Sequence, residues 1–128
     1  MKIREDFLHY LWRMKLFILE DLKTVEDIPI EIIEFGEQNT NAGPDFLNAK
    51  IKIGDTVWAG NVEMHVKSSE WLKHKHQDDT AYDNVILHVV YKNDEDIQRR
   101  SGGNIDALEL RKHIPPNLTS QYFTADSK

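Results

Sequence analysis

Cysteine is missing from the 128-residue sequence, which excludes disulfides and thiolate zinc sites. No apolar run is long enough to span a bilayer. A basic excess is missing too: 16 Lys and Arg stand against 22 Asp and Glu, for a net charge of -6. General nucleic-acid binders are usually basic, so this balance argues against one. Internal repeats and low-complexity segments are absent. The opening Met-Lys-Ile-Arg-Glu-Asp turns acidic at once and has no signal-peptide layout. These absences lead to the expectation of a cytoplasmic protein with no membrane partner. The length suffices for one domain, residues 1–128, with a real core.

What is present centres on residues 43–67, from Gly43-Pro44-Asp45 to His65-Val66-Lys67. Val, Ile, Thr and Trp flank the turn pair Gly54-Asp55, which reads as two strands joined by a short hairpin. Asp45 opens the first strand after a rigid Gly-Pro turn. Glu63, His65 and Lys67 lie two apart on the second strand, so their side chains leave one face of the sheet. Val62, Met64 and Val66 supply the opposite, apolar face. A half-exposed strand shows the same alternation with no chemistry attached. The sharper reading is that Asp45 and Glu63, on adjacent strands, share a Mg2+ or Mn2+ ion. His65 or Lys67 then positions a water or stabilises developing charge. For one cation to touch both acids, facing carboxylate oxygens must lie within roughly 5 Å. This reading places His65 partly open to solvent in a cleft.

The charge is uneven. Residues 46–76 carry five basic against three acidic side chains, whereas the flanking stretches are acidic. The run Leu72-Lys-His-Lys-His-Gln77 lies in this basic stretch. A solvated loop explains it as well as a phosphate-contacting patch does; in the second case Lys50, Lys73, His74 and His76 are the contacts. A transition-metal site built from His74, His76 and either His65 or His88 is a further option, without thiolate support.

Along the chain, Phe7, Leu8, Leu11, Met14 and Ile18 fall at spacings of three and four, which predicts a helix over 5–19 packed on a sheet. Glu5 or Asp6 favours its start. His9 reads as a packed or surface histidine. Residues 30–35 read as a strand, 37–44 as a polar loop, and 68–74 as a short helix capped by Ser68 or Ser69. Asn84–Tyr91 is nearly all apolar and reads as a central strand covered on both faces, interrupted by His88. Residues 92–104 read as an exposed, mobile loop, 107–110 as a strand, and 115–128 as a frayed tail. The fold class is α/β: a mixed sheet of four to five strands with the N-terminal helix packed on it.

Several segments carry a resemblance. Phe7-Leu-His-Tyr-Leu-Trp12, Asn41-Ala-Gly-Pro-Asp-Phe46, Trp58-Ala-Gly-Asn-Val-Glu-Met-His65, Ser69-Glu-Trp71, His74-Lys-His76 and Val85-Ile-Leu-His-Val-Val-Tyr91 resemble DUF2851, a family of uncharacterised bacterial proteins. That likeness implies no activity. Family members are longer, which implies that this chain is an N-terminal portion or a shortened relative. Pro44-Asp45 followed by Glu63-Met-His65 is similar to the PD-(D/E)XK nuclease motif, as is the order helix, strand, hairpin, short helix, strand. This second resemblance implies a PD-(D/E)XK-like core, metal ligation by Asp45 and Glu63, and nucleic acid as partner. His65 stands where that motif has Lys, and Lys67 is one step further on the same face. The function expected is a metal-dependent phosphodiesterase; the alternative is a non-catalytic nucleic-acid- or protein-binding module of the same fold.

Overall fold

The computed structural model describes residues 3–126, with side chains as far as Tyr122. Helix α1 (Glu5–Met14) leads into strands β1 (Ile30–Glu34), β2 (Glu37–Gln38), β3 (Phe46–Ile53) and β4 (Thr56–Lys67). A short helix α2 (Glu70–Lys73), two 3-10 turns, strands β5 (Val85–Lys92) and β6 (Ala107–Glu109), and helix α3 (Pro116–Asp126) follow. One mixed sheet runs β1-β3-β4-β5-β6, and β2 pairs with β3 as well. The pairs on the β1–β4 side are antiparallel and the β4–β5 and β5–β6 pairs are parallel. The α/β class with a mixed sheet therefore holds, with the two-residue β2 taking the strand count to six. Among the described residues, no helix is long and apolar enough to cross a membrane.

The hairpin forms where the turn pair predicts it, with Gly54 at φ +62 in the left-handed region that glycine enters without penalty. On β4, Val62 and Met64 point to one side of the sheet. Opposite them on β5 are Leu87 and Val89, and all four are fully buried under Leu8, Leu11 and Trp12 of α1. The other side of the same two strands carries Glu63, His65 and His88, also buried. A smaller apolar cluster of Trp71, Val85, Ile97 and Ile105 closes over that side. The β4–β5 connection through α2 is what brings Trp71 there.

Helix α1 stops at Met14, short of the 5–19 predicted. Lys15 takes a left-handed conformation (φ 56), and the Leu16 N–H donates back to the Leu11 carbonyl, closing the helix end. Met14 and Ile18, placed on the buried stripe by spacing, are exposed as a result, whereas Phe17 turns inward and stacks on Trp12. Ser69 stands at the start of α2 but makes no cap bond; both Ser68 and Ser69 donate to Asp94 instead. Those bonds, with buried Ile97, anchor the 92–104 segment that reads as a free loop in sequence. The tail expected at 115–128 is helical from Pro116 to Asp126, and Leu118 and Tyr122 pack against the core. Residues 127 and 128 lie outside the described range.

Leu87 is wholly buried at the centre of the sheet, so Leu87→Ala is expected to cost about 2–5 kcal/mol in a denaturant titration; a loss well under about 1 kcal/mol would place β5 outside the core. A Cβ at Gly60 would meet the Asn84 carbonyl oxygen at 2.5 Å and Ile86 Cγ2 at 2.6 Å. Gly60→Ala should therefore cost about 1–3 kcal/mol through forced backbone shifts, against no measurable change if β4 and β5 are further apart here.

Candidate functional site

Strand β4 is longer than its partner β3, whose last paired residue, Phe46, sits opposite Val62. Beyond that point backbone groups would go unpaired. Two acids take over. The Asp45 N–H donates to Glu63 Oε1 at 3.1 Å, and the Met64 N–H donates to Asp45 Oδ2 at 2.8 Å. The structure thus brings Asp45 and Glu63 together across adjacent strands, each carboxyl bonded to backbone beside the other.

Two such acids in a buried place cannot both ionise cheaply. Burial first, and the Asp45 charge second, raise the Glu63 carboxyl far above the usual carboxylate range. Burial works in the same sense on Asp45. The contact with His9 outweighs it and holds Asp45 below its ordinary value. The pair therefore favours one proton between them, with Glu63 the partner whose protonated form is favoured.

His9 comes from α1, and sequence reading sets it aside as a packed or surface residue. Its Nε2 lies 3.4 Å from Asp45 Oδ2 and 3.5 Å from Glu5 Oε1. Both separations exceed the 2.7–3.2 Å of a well-formed bond, and this nitrogen is buried with no hydrogen-bond partner. Burial disfavours its charged form, but the two carboxylates prevail and push its pKa up to about 9. One atom from each of Glu5, His9 and Asp45 falls within 4.8 Å of the others.

On the far side of Glu63 lie imidazoles. Glu63 Oε2 is 2.9 Å from His76 Nε2 and 3.2 Å from His65 Nε2. His65 Nδ1 contacts His88 Nε2 at 2.8 Å. His65, His74 and His76 also each offer one ring nitrogen within 4.8 Å of the other two. Tyr82 stacks on His76 at 3.7 Å between ring centroids, and Trp71 meets His76 and His88 edge-on. Burial, followed by neighbouring imidazoles, lowers the pKa of His65, His76 and His88, so these rings are neutral.

The sequence-predicted residues thus divide. Asp45, Glu63, His65, His74 and His76 share one site. His65 differs from expectation in being 1% exposed rather than open to a cleft, because α2 and the turn after it cover that face. Lys67 is exposed, and four residues of strand put it about 13 Å along β4 from Glu63. Lys50 is equally displaced: it is exposed on β3 and pairs with Ala59, four positions from Glu63. Lys73 is exposed on α2, beside His74 at the rim. The residues missed are Glu5 and His9. Their one signal is the Phe7-Leu-His-Tyr-Leu-Trp12 segment, in which a histidine sits amid a buried stripe.

Residues 5–127 match the family described as "Protein of unknown function (DUF2851)". Neither a curated protein nor a solved structure matches the chain.

The buried neutral rings fix the pH dependence of stability. Below the ordinary histidine value of 6.5 the unfolded chain protonates His65, His76 and His88 while the folded chain does not, so stability falls with pH there. Raised groups act the other way. The contributions of His9 and Glu63 are full below their unfolded values and are lost as pH rises through their folded ones. The metal-free melting temperature should peak near pH 6.5–7, about the unfolded histidine value, and drop toward both pH 4 and pH 9. A profile flat across this range, followed by calorimetry, would contradict neutral burial.

Proposed function

Because the chain belongs to the DUF2851 family, whose function is unknown, its activity rests on the chemistry of the site, and we propose a metal-dependent phosphodiesterase acting on nucleic acid. The observation that carries this is the reciprocal arrangement of half-buried Asp45 and buried Glu63, in which Glu63 Oε1 accepts the Asp45 N–H and Asp45 Oδ2 accepts the Met64 N–H, so that two acids face one place. A divalent cation in place of the pair's one proton lets both acids ionise and reverses the sign of a site that would otherwise repel phosphate. The residues present fit such an ion: His9 Nε2 is buried without a hydrogen-bond partner beside Asp45 and Glu5. Asp45 and Glu63, with Glu5 and His9, would hold Mg2+ or Mn2+; the imidazole favours Mn2+. There the cation would supply Lewis-acid stabilisation of the phosphate and a more acidic water.

The chain's own residues have definite tasks. Asp45 is fixed by the Met64 N–H and Glu63 by the Asp45 N–H, so both acids are oriented before any ligand arrives. His76 Nε2, 2.9 Å from Glu63 Oε2 and neutral, is placed to hydrogen-bond Glu63 and hold its orientation. His65 touches Glu63 and His88 rather than open space, so it is a positioning residue. Lys73 at the rim is the remaining lysine contact for a phosphate. The order α1, β1, β3–β4 hairpin, α2, β5 supports a PD-(D/E)XK-like core, with Asp45 before β3 and Glu63 on β4. Among the described residues Glu63 pairs with imidazoles and with no lysine, Lys67 being far along the strand, which favours the second reading: a non-catalytic binding module of this fold.

Cleavage of labelled DNA and RNA with Mn2+ or Mg2+ tests the proposal. Asp45→Asn and Glu63→Gln keep the acceptors for Met64 and Asp45 N–H and should stay folded. Their activity should fall by more than about 100-fold, beyond what loss of an outer-shell partner costs. Glu63→Gln, by removing the shared proton, should also melt no lower than wild type without metal at pH 8. Absence of cleavage by the wild-type protein with every divalent ion, with nucleic acid still bound, would assign the binding-module role.

A further inference from the structure

We propose that His65, His74 and His76, with Glu63 beside two of them, form a site for a borderline transition cation of the Zn2+ type, distinct from the carboxylate site around Asp45. The inference goes beyond the phosphodiesterase reading and does not require cleavage, although the two sites meet at Glu63.

The geometry is that of a preformed ligand set. One nitrogen from each of the three rings lies within 4.8 Å of the other two. Glu63 Oε2 stands 2.9 Å from His76 Nε2 and 3.2 Å from His65 Nε2. Four ligands at about 2.0–2.1 Å from one ion are about 3.3 Å apart along each edge of the tetrahedron. The two oxygen–nitrogen separations are close to that length, whereas the three ring nitrogens, within 4.8 Å of one another, draw closer when an ion enters. Three nitrogens and one oxygen suit Zn2+ over Mg2+, which prefers an octahedron of oxygens.

Local structure explains how a His-Lys-His run converges on one point. In extended chain, residues two apart would share a face but stand some 6–7 Å apart. Here α2 ends at Lys73, and Lys75 adopts a left-handed conformation (φ 58) that is costly for a residue with a Cβ. The reversal swings His76 under Tyr82 and against Glu63 while His74 stays at the rim, 5.6 Å from it between ring centroids. A strained non-glycine residue at this turn is the kind of feature found where a site fixes the backbone.

The next layer is also in place. His65 Nδ1 lies 2.8 Å from His88 Nε2. A proton on His65 Nδ1, donated to His88, leaves Nε2 with its lone pair toward Glu63, the tautomer a metal-bound histidine needs. His74 is exposed and would leave the ion accessible from outside.

Chelator-treated full chain titrated with Zn2+, in a calorimeter and by visible absorption of Co2+, tests the site. One strongly bound equivalent, a tetrahedral Co2+ spectrum and a raised melting temperature are expected. His74→Ala, at an exposed position, should leave the metal-free melt unchanged and weaken Zn2+ binding by at least about 100-fold. His76→Gln should weaken Zn2+ binding similarly, with a shifted metal-free melt because His76 is buried against Tyr82 and Glu63. Asp45→Asn should retain Zn2+ binding even though it loses any Mn2+-dependent cleavage, which separates this inference from the preceding one. Wild-type protein with no Zn2+ bound below millimolar concentration, or His74→Ala and His76→Gln binding as tightly as wild type, would overturn it.

Discussion

The structure depends on one reciprocal arrangement: the backbone of Asp45 is held by the side chain of Glu63, and the backbone next to Glu63 is held by the side chain of Asp45. It sits where the β3–β4 ladder ends. Unpaired backbone N–H groups in a buried place are costly, and the two carboxyls satisfy two of them. The same bonds draw the acids within reach of each other. Sheet geometry and site electrostatics are therefore not separable here. Neither acid can be moved without freeing a strand end.

From that contact the surrounding layer follows. A carboxyl pair with one proton offers both a charge and a protonated oxygen. His9 answers the charge on the Asp45 side, and neutral imidazoles answer Glu63 on the other. Five of the six histidines gather in this layer, His113 being the one elsewhere. Their opposite protonation has a common cause. His9 faces two carboxylates, whereas His65 and His88 lie deeper and face one another. The element that delivers each ring thus decides its charge: α1 sets His9 against carboxylates, whereas β4 and β5 bury His65 and His88 against each other.

Much of this was legible in the sequence, and the limits are physical. The hairpin follows from alternation and turn chemistry and β5 from its continuous apolar run, both of which are local. The same-face placement of Glu63 and His65 follows from the pleat. The end of α1 was not legible, because a left-handed lysine has no sequence signal comparable to glycine. His9 was invisible as a partner for Asp45 because 36 residues of chain separate them, and only packing of α1 on the sheet joins them. Lys67 illustrates the reverse limit: sharing a face with Glu63 says nothing about the distance along the strand, and membership of a basic stretch says as little for Lys50. The burial of His65 depended on α2 folding back, which the alternation of β4 could not reveal.

The pattern of β4 and β5 carries a further consequence. In a strand covered on one side only, Glu63, His65 and His88 would be a solvated face, the plain reading of their alternation. Here both sides are covered: α1 buries Val62, Met64, Leu87 and Val89, and Trp71 with its neighbours covers the polar side. A polar layer inside a sheet is expensive unless every group is answered. Most groups in this one are answered by each other. Among the described residues the exceptions are His9 Nε2 and His88 Nδ1, along with Trp71 Nε1 and Gln77 Oε1 in the cover, all buried without partners. His9 Nε2 lies at the carboxylate end and His88 Nδ1 behind the imidazole end. The layer is thus complete as a hydrogen-bonded core except at its two ends, and an apolar core of the same volume would fold with less penalty. The fold bears that cost in the one place where carboxyls and imidazoles are held at spacings suited to a cation, and this ties the energetics of the sheet to the chemistry proposed for it.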